Sequence, residues 1–248
     1  MSETDGESFF SHLIELRTRL VRAMMAVLIV FLCIAFWASD LYDLLAYPMM
    51  RALPEGTKMI ATGVVTPFLV PIKVALLVSF MIALPFVLYQ AWAFVAPGLY
   101  SHEKKLVYPL IIASTVLFYL GMAFCYFFVF NTVFKFVYSF APKSITVAPD
   151  IENYLSFVMT MFLAFGVTFE VPVVVIVLVK IGFVTIAKLR EVRPYFIVSA
   201  FIIAAVVTPP DVVSQMMLAV PLCLLYEAGI IAAALMARSS SARTEYQE

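Results

Sequence analysis

Residues 11–37 read S-H-L-I-E-L-R-T-R-L-V-R-A-M-M-A-V-L-I-V-F-L-C-I-A-F-W, a charged stretch that runs directly into a long apolar one. If the charged part is helical, His12, Glu15 and Arg19 share one face, because they are three and four residues apart. The apolar part, from about 21 to 37, is long enough to cross a membrane as the first span. Glu15 then lies at the mouth of that span, where it is either the partner of Arg19 in an ordinary ion pair or a functional carboxylate.

The composition predicts that the chain as a whole is a membrane protein. It is 64% hydrophobic and 13% charged, with a mean hydropathy of +1.04, which lies outside the range of soluble globular domains. We therefore predict an all-α polytopic integral membrane protein with six transmembrane helices, which form a single membrane domain over residues 1–237. The predicted spans are about 21–37, 71–94, 106–130, 154–179, 195–207 and 212–237, and a short tail at 238–248 is expected to be disordered.

The distribution of basic residues predicts the orientation, because the cytoplasmic loops of membrane proteins are enriched in Lys and Arg. Six spans place both termini on one side, which carries Arg17, Arg19, Arg22, Lys104, Lys105, Lys180, Lys188, Arg190, Arg193, Arg238 and Arg243. The opposite side carries Arg51, Lys58, Lys135 and Lys143. We therefore expect both termini to be cytoplasmic, with Glu15 and Glu103 on the cytoplasmic face. The net charge is zero, so the composition gives no indication of a nucleic-acid partner.

Two prolines and two charged residues predict local features of the helices. Pro48 is expected to stop a short surface helix that follows the first span, since proline cannot donate a backbone hydrogen bond. Pro85 predicts a kink in the second span, and Lys73, near the outer end of that span, is expected to extend to the membrane interface. Asp211 ends the rigid turn T-P-P-D at 208–211 and is expected to cap the sixth helix.

Glu170 is the most informative single position, because an acidic side chain deep in a span costs about 2.5 to 3.5 kcal/mol on insertion scales. Pro172 leaves one carbonyl of the same helix without its donor, and Gly166 removes bulk, so we expect an acceptor and a concavity beside the carboxyl. This arrangement favours a functional acid. The structural alternative is a neutral glutamic acid that is satisfied by a polar side chain of a neighbouring span: Gln90, Tyr126 or Gln215.

The sequence has no catalytic signature. It contains no Walker loop, no H-E-x-x-H and no G-x-S-x-G motif, and its two histidines have no further ligands nearby. We therefore predict that the protein is not an enzyme and binds no cofactor or metal. Besides a conduit or receptor, two alternatives stay open on this basis. One is a proton-coupled small-solute transporter that uses Glu170 as a relay, although no internal repeat supports it. The other is an assembly factor that holds other membrane subunits.

Five motifs occur together in this chain. They are S-H-L-x-E-L-R-x-R-L at 11–20, A-T-x-x-x-x-P-F at 61–68, Q-x-W-x-F-x-x-P-G-L-Y-x-x-E-K at 90–104, F-E-V-P at 169–172 and T-P-P-D at 208–211. In order, spacing and the plan of six spans, they resemble the TatC family, the large subunit of the twin-arginine protein translocase. The resemblance extends from about Phe10 to Ala237.

The resemblance implies a function. The family is a receptor for folded, exported proteins whose signal peptides carry consecutive arginines, and it is powered by the proton motive force. It works in the bacterial cytoplasmic (inner) membrane with the single-span partners TatA and TatB. Self-association in the receptor complex and contact with membrane lipids are expected as well, and no cofactor is implied.

The resemblance also implies site residues, which carry over position by position. It assigns the twin-arginine site to Glu15 and Glu103, with Arg17 and Leu99 nearby. Two carboxylates suit this role, because the planar guanidinium pairs with them through two hydrogen bonds whereas lysine is a point charge. The apolar residues expected to receive the hydrophobic region of the signal peptide are Phe94, Leu99 and Leu16. The polar residues expected inside the membrane, where partner helices bind, are Glu170, Thr208, Gln215 and Tyr126.

Overall fold

The computed structural model describes residues 3–53, 56–95, 107–140, 142 and 148–245. Its helices are α1 (Glu3–Ile34), α2 (Ala38–Ala52), α3 (Thr66–Val95), α4 (Val107–Phe124), α5 (Phe130–Ser139), α6 (Ile151–Lys180), α7 (Ile186–Glu191), α8 (Arg193–Val207) and α9 (Val212–Glu245). A 3-10 turn at Ala35–Trp37 joins α1 to α2, and a π-helical turn at Cys125–Val129 joins α4 to α5.

The lengths of the helices confirm the predicted fold class. In the part of the chain that the structure describes, five helical stretches are long and apolar enough to cross a membrane, and the shorter apolar helix α8 is the sixth. The protein is therefore an all-α, multi-pass membrane protein. Helix α8 has 15 residues, which is about 22 Å of helix against a hydrocarbon core of about 30 Å.

The predicted end of the surface helix at Pro48 is wrong. Pro48 lies inside α2, which continues to Ala52. Leu45, Ala46 and Met49 of this helix are buried, and the free energy of burying them offsets the one backbone hydrogen bond that proline cannot make. Helix α3 contains Pro85, where the sequence predicts a kink and not an end, and it is one helix from Thr66 to Val95.

The prediction of a disordered tail is wrong for residues 238–245. Helix α9 continues without interruption to Glu245, eight residues beyond the end predicted at Ala237, and residues 246–248 lie outside the described part of the chain. Between Ala237 and Glu245 the sequence contains neither proline nor glycine, so it has no residue that stops a helix.

One compact unit comprises residues 1–47, 59–115 and 150–155. In this unit α1 packs along α3. Two polar contacts connect the region around the start of α3 to the start of α6: Asp150 accepts a hydrogen bond of 2.8 Å from the Thr62 hydroxyl, and Lys73 pairs with Glu152 at 2.9 Å. The Lys73 side chain is 45% exposed, so it is held at the surface of the unit by an ion pair that the sequence did not predict.

A second compact unit comprises residues 48–58, 116–149 and 156–248. Glycines allow its helices to approach each other closely. A methyl group on Gly121 of α4 would lie 2.5 Å from the backbone oxygen of Phe165 in α6. A methyl group on Gly229 of α9 would lie 2.9 Å from the Cα atom of Pro172 in α6. Helix α6 is therefore in near-backbone contact with both α4 and α9.

Gly166 of α6 does not leave the concavity that the sequence predicts beside Glu170. The ring of Phe118 from α4 fills the space over this glycine so closely that even a methyl group there would overlap it. The missing side chain thus serves helix packing, because an aromatic ring of a neighbouring helix occupies the volume.

The short helix α7 is fixed to α9 through Tyr226. The Tyr226 hydroxyl donates a hydrogen bond of 2.9 Å to the carbonyl of Leu189, and its ring stacks on Phe196 with 3.8 Å between the ring centroids. Arg193, at the start of α8, pairs with Glu227 beside it. The C-terminal half of α7 and the start of α8 are therefore both held to α9.

Candidate functional site

Glu15 and Arg19 form an ion pair on α1. The Nε and Nη2 groups of Arg19 donate to Oε1 of Glu15 at 2.9 Å and 2.6 Å. The side chain of Glu15 is 35% exposed and that of Arg19 is 21% exposed, so the pair is partly shielded from solvent. The carboxylate predicted as functional is therefore already bound to a guanidinium group of the same chain.

Two further contacts join this stretch of α1 to the C-terminal part of α3. The imidazole of His12 stacks on the ring of Phe94 with 4.3 Å between centroids and 22° between planes. The Nη1 group of Arg19 lies 3.5 Å from the side-chain oxygen of Gln90, which is buried. The structure therefore brings Phe94 to the helix that carries Glu15, as the predicted site requires.

The other predicted residues of this site divide into two groups. Leu16 and Arg17 are exposed on α1 and directly follow Glu15 in the sequence. Leu99 and Glu103 lie outside the described residues, so their predicted roles rest on the sequence motif alone.

Sequence reasoning missed Gln90 as a member of this site. We considered Gln90 as a partner for Glu170, whereas its oxygen accepts from Arg19, 71 positions away along the chain. Gln90 is the first residue of the motif at 90–104 and lies one helical turn before Phe94. This position in the motif could have indicated that Gln90 belongs to the site. The same motif contains Trp92, whose indole donates to the Ser114 hydroxyl at 2.8 Å and so fixes this end of α3 to α4.

The polar residues predicted inside the membrane are separate from this site in sequence. Glu170 lies on α6, Gln215 on α9 and Tyr126 in the π-helical turn, and Thr208 directly follows α8. Both carboxyl oxygens of Glu170 are buried. The Thr208 hydroxyl donates to the carbonyl of Ala204 at 2.8 Å, and the Gln215 amide donates to the carbonyl of Phe201 at 3.3 Å. These two side chains therefore bond to backbone carbonyls near the C-terminal end of α8.

Tyr126, the fourth of these residues, lies in a cluster of aromatic rings. Its ring contacts those of Phe127, Phe130 and Phe162 at centroid distances of 5.0, 6.5 and 6.4 Å. In the turn between α8 and α9, Asp211 accepts a hydrogen bond of 2.7 Å from the backbone N–H of Ser214. This is an N-cap contact at the start of α9.

A groove of about 530 Å³ lies between α6, α8 and α9. Its walls are almost entirely apolar and include Phe196 and Leu218. Hydroxyl groups are added by Thr160, Thr168 and Ser199. In the described part of the chain, no group of three His, Cys, Asp or Glu side chains is arranged to hold a metal ion.

A family model described as "Sec-independent protein translocase protein (TatC)" matches residues 11–221. The chain belongs to the TatC family. All five motifs lie within the matched residues, and the resemblance inferred from them is confirmed.

Individual members of the TatC family match over almost the whole chain. The TatC protein of Haemophilus influenzae is 48% identical over 234 residues, which cover 94% of this chain and 91% of that protein. The TatC protein of Escherichia coli K12 is 48% identical over 230 residues, which cover 93% of this chain and 89% of that protein. A crystal structure described as that of the twin arginine translocase receptor TatC matches with a TM-score of 0.78 at 40% identity, and covers 90% of this chain and 98% of the other.

Proposed function

We propose that this chain is the receptor subunit of a twin-arginine protein translocase. It binds the twin-arginine signal peptides of folded proteins at its cytoplasmic face and nucleates a translocation complex that the proton motive force drives. Membership of the TatC family supports protein translocation over the small-solute transporter and over the assembly factor, because the relatives are named as translocase proteins.

The observation that carries the proposal is the part-buried pair between Glu15 and Arg19 beside α3. A guanidinium already binds this carboxylate, and a signal-peptide arginine is the same chemical group. A hydrogen bond to a charged partner contributes about 1.5 to 3 kcal/mol, and the fixed fork of donors favours arginine over lysine. Glu15 therefore has the chemistry to distinguish the two residues.

A pair of arginines calls for a second carboxylate, and Glu103 is the residue that the motif supplies. The apolar ring of Phe94, stacked on His12, offers a surface for the hydrophobic region that follows the arginines in a signal peptide. Leu16 is 42% exposed one position after Glu15 and extends that surface. Arg17 and Leu99 are the remaining residues of the proposed site.

Partner helices are proposed to bind at the polar residues within the membrane. TatA and TatB each offer a single span, and Glu170, Thr208, Gln215 and Tyr126 offer groups to which such a span can hydrogen-bond. Polar contacts of this kind between helices contribute about 0.6 to 2 kcal/mol each. Several copies of the receptor are expected in one complex, in contact with the lipids of the bacterial inner membrane.

Photo-crosslinking in inverted membrane vesicles tests the receptor function. A radiolabelled signal peptide with Arg-Arg is compared with its Lys-Lys version, on the wild type and on the double variant Glu15→Ala plus Glu103→Ala. We expect the Arg-Arg peptide to crosslink, the Lys-Lys peptide to fail, and the double variant to abolish the difference. Equal crosslinking of both peptides to the folded wild type would reject the proposal.

A further inference from the structure

The ion pair between Glu15 and Arg19 has an asymmetric geometry. Two nitrogens of the guanidinium donate to one and the same oxygen, Oε1 of Glu15. The strongest arrangement of these groups is a fork, in which two parallel N–H donors each bind a different carboxylate oxygen. Because both residues belong to one helix, at positions i and i+4, Arg19 reaches Glu15 from along the helix axis rather than head-on. An arginine that arrives from outside is free of this restriction.

Gln90 supplies Arg19 with a second acceptor. Its side chain is only 5% exposed, and its oxygen lies 3.5 Å from Nη1 of Arg19, which is at the outer limit of a hydrogen bond. A small rotation of the guanidinium away from Glu15 and toward α3 shortens this contact. Arg19 therefore has a place to which it can move without losing all of its hydrogen bonds.

We propose that Arg19 is a resident competitor for the signal peptide: it occupies Glu15 in the resting receptor and moves to Gln90 when a peptide arginine takes its place. The proposal rests on the function proposed above and adds to it a device that sets the affinity threshold. Gln90 is a positioning residue in this scheme, since it acts on the peptide only through Arg19.

The competition has a definite thermodynamic signature. If the competent receptor is the fraction in which Arg19 has left Glu15, the apparent Kd of any peptide equals its intrinsic Kd divided by that fraction. The factor is the same for Arg-Arg and Lys-Lys peptides. Arg19 therefore does not create the preference for arginine. It weakens the binding of both peptides by the same factor, so that the Lys-Lys peptide, which binds less tightly, no longer binds at the concentrations at which the Arg-Arg peptide does.

The effect of removing Arg19 distinguishes a competitor from an ordinary stabilising ion pair. If the pair served only to hold α1 in shape, loss of Arg19 would leave the binding of peptides unchanged or impair it. A competitor predicts that its loss improves binding. The strength of a part-buried pair on one helix suggests a gain of about two- to tenfold in affinity.

The experiment is a titration of the full-length receptor, in membranes that also contain its partner subunits, with synthetic Arg-Arg and Lys-Lys signal peptides of otherwise identical sequence. The main variant is Arg19→Gln, and Arg19→Lys is the conservative alternative if Arg19→Gln fails to fold. Arg22→Gln is the matched control, because it removes an exposed positive charge from the same helix three residues away. The single variants Glu15→Gln and Gln90→Leu, and the combination of each with Arg19→Gln, complete the set.

We expect Arg19→Gln to raise the affinity for both peptides by the same factor, and Arg22→Gln to leave it unchanged. Gln90→Leu is expected to lower both affinities, since Arg19 then has no acceptor on release, and to have no effect once Arg19 is replaced. In the Glu15→Gln background, Arg19→Gln is expected to have no effect.

Three results would overturn the inference: an unchanged or lower affinity in a folded Arg19→Gln variant, the same gain in Arg22→Gln, or a gain that persists without Glu15. The titration also separates this inference from the proposed function. If Glu15→Gln alone does not weaken the Arg-Arg peptide, the proposed site itself is wrong. If Glu15→Gln abolishes binding while Arg19→Gln changes nothing, the site is retained and only the competitor is rejected.

Discussion

Asp150 connects segments that are 88 residues apart in the chain, and it does so with both carboxylate oxygens. Its Oδ2 accepts from the backbone and the hydroxyl of Thr62 at 3.1 and 2.8 Å. Its Oδ1 accepts from the backbone N–H groups of Glu152 and Asn153, each at 3.0 Å, at the start of α6. These hydrogen bonds, first that from Asn153 and then that from the Thr62 hydroxyl, lower the pKa of Asp150 below its ordinary value of 3.8.

A lowered pKa makes the contribution of Asp150 to stability dependent on pH. The folded state favours the ionised carboxylate, so the contribution is fully present above pH 3.8 and is lost as the pH falls through the lowered folded value. We expect Asp150→Asn to lower the melting temperature at pH 7 and to have a smaller effect at pH 3. Thermal unfolding in detergent measures both, and an equal loss at the two pH values would contradict this assignment.

Glu170 is the second residue with a testable role of its own. Its carboxyl is buried, and in the proposed function it forms a hydrogen bond with a partner helix. Such a bond contributes about 0.6 to 2 kcal/mol, or roughly three- to thirtyfold in affinity. We expect Glu170→Ala to weaken co-purification of TatA or TatB by this factor while the binding of an Arg-Arg peptide persists. Glu170→Gln, which keeps a hydrogen-bonding group, is the matched control and is expected to retain part of the binding. Loss of both activities in Glu170→Ala would instead indicate misfolding.

At the scale of the elements, the contact between α4 and α6 depends on two glycines. A methyl group on Gly121 meets the backbone oxygen of Phe165, which moves only if the whole helix moves. A methyl group on Gly166 meets the ring of Phe118, a side chain that has some freedom to rotate. Gly121 therefore tolerates substitution less well than Gly166.

We expect Gly121→Ala and Gly166→Ala each to lower the free energy of unfolding by about 1 to 3 kcal/mol, and Gly121→Ala to have the larger effect. Chemical unfolding in detergent, followed by tryptophan fluorescence or circular dichroism, measures the difference. Ser156→Ala, at an exposed position of α6, is the control and is expected to stay within about 0.5 kcal/mol of the wild type. The reverse order of the two glycine variants would mean that the aromatic ring is the more rigid neighbour.

The helices themselves were predictable from the sequence, and their contacts were not. Long apolar runs predict membrane helices, because only a helix satisfies its own backbone in lipid. The end at Pro48 was predicted wrongly, since buried side chains decide whether a helix continues past a proline. The link from Arg19 to Gln90 could not be predicted at all, because it depends on how α1 packs against α3 and leaves no local pattern. The motifs identified Glu15 and Phe94, and the spacing of four residues predicted Arg19 as the ion-pair partner of Glu15. Only Gln90, the second acceptor of Arg19, emerged from the geometry.

At the scale of the whole molecule, the charge distribution predicts the orientation in the membrane. Lys58, between α2 and α3, and Lys188, in the short helix α7, are both exposed and lie in segments expected on opposite sides of the membrane. In a chain whose native cysteines are replaced, we expect Lys58→Cys to react with an impermeant maleimide in spheroplasts. Lys188→Cys is expected to react only after permeabilisation. Labelling of Lys188→Cys in intact spheroplasts would show that the predicted topology is inverted and that Glu15 is not on the cytoplasmic face.

The central claim is that an arginine of the signal peptide binds beside Glu15, and a photoreactive probe in the receptor tests it most directly. The probe is placed at Leu16, next to Glu15, or at Phe36, an exposed position about 30 Å further along the same helical stretch. With a radiolabelled precursor, we expect the probe at Leu16 to capture the Arg-Arg form and not the Lys-Lys form, and the probe at Phe36 to capture neither. Equal capture at both positions, or equal capture of both precursors at Leu16, would contradict the account.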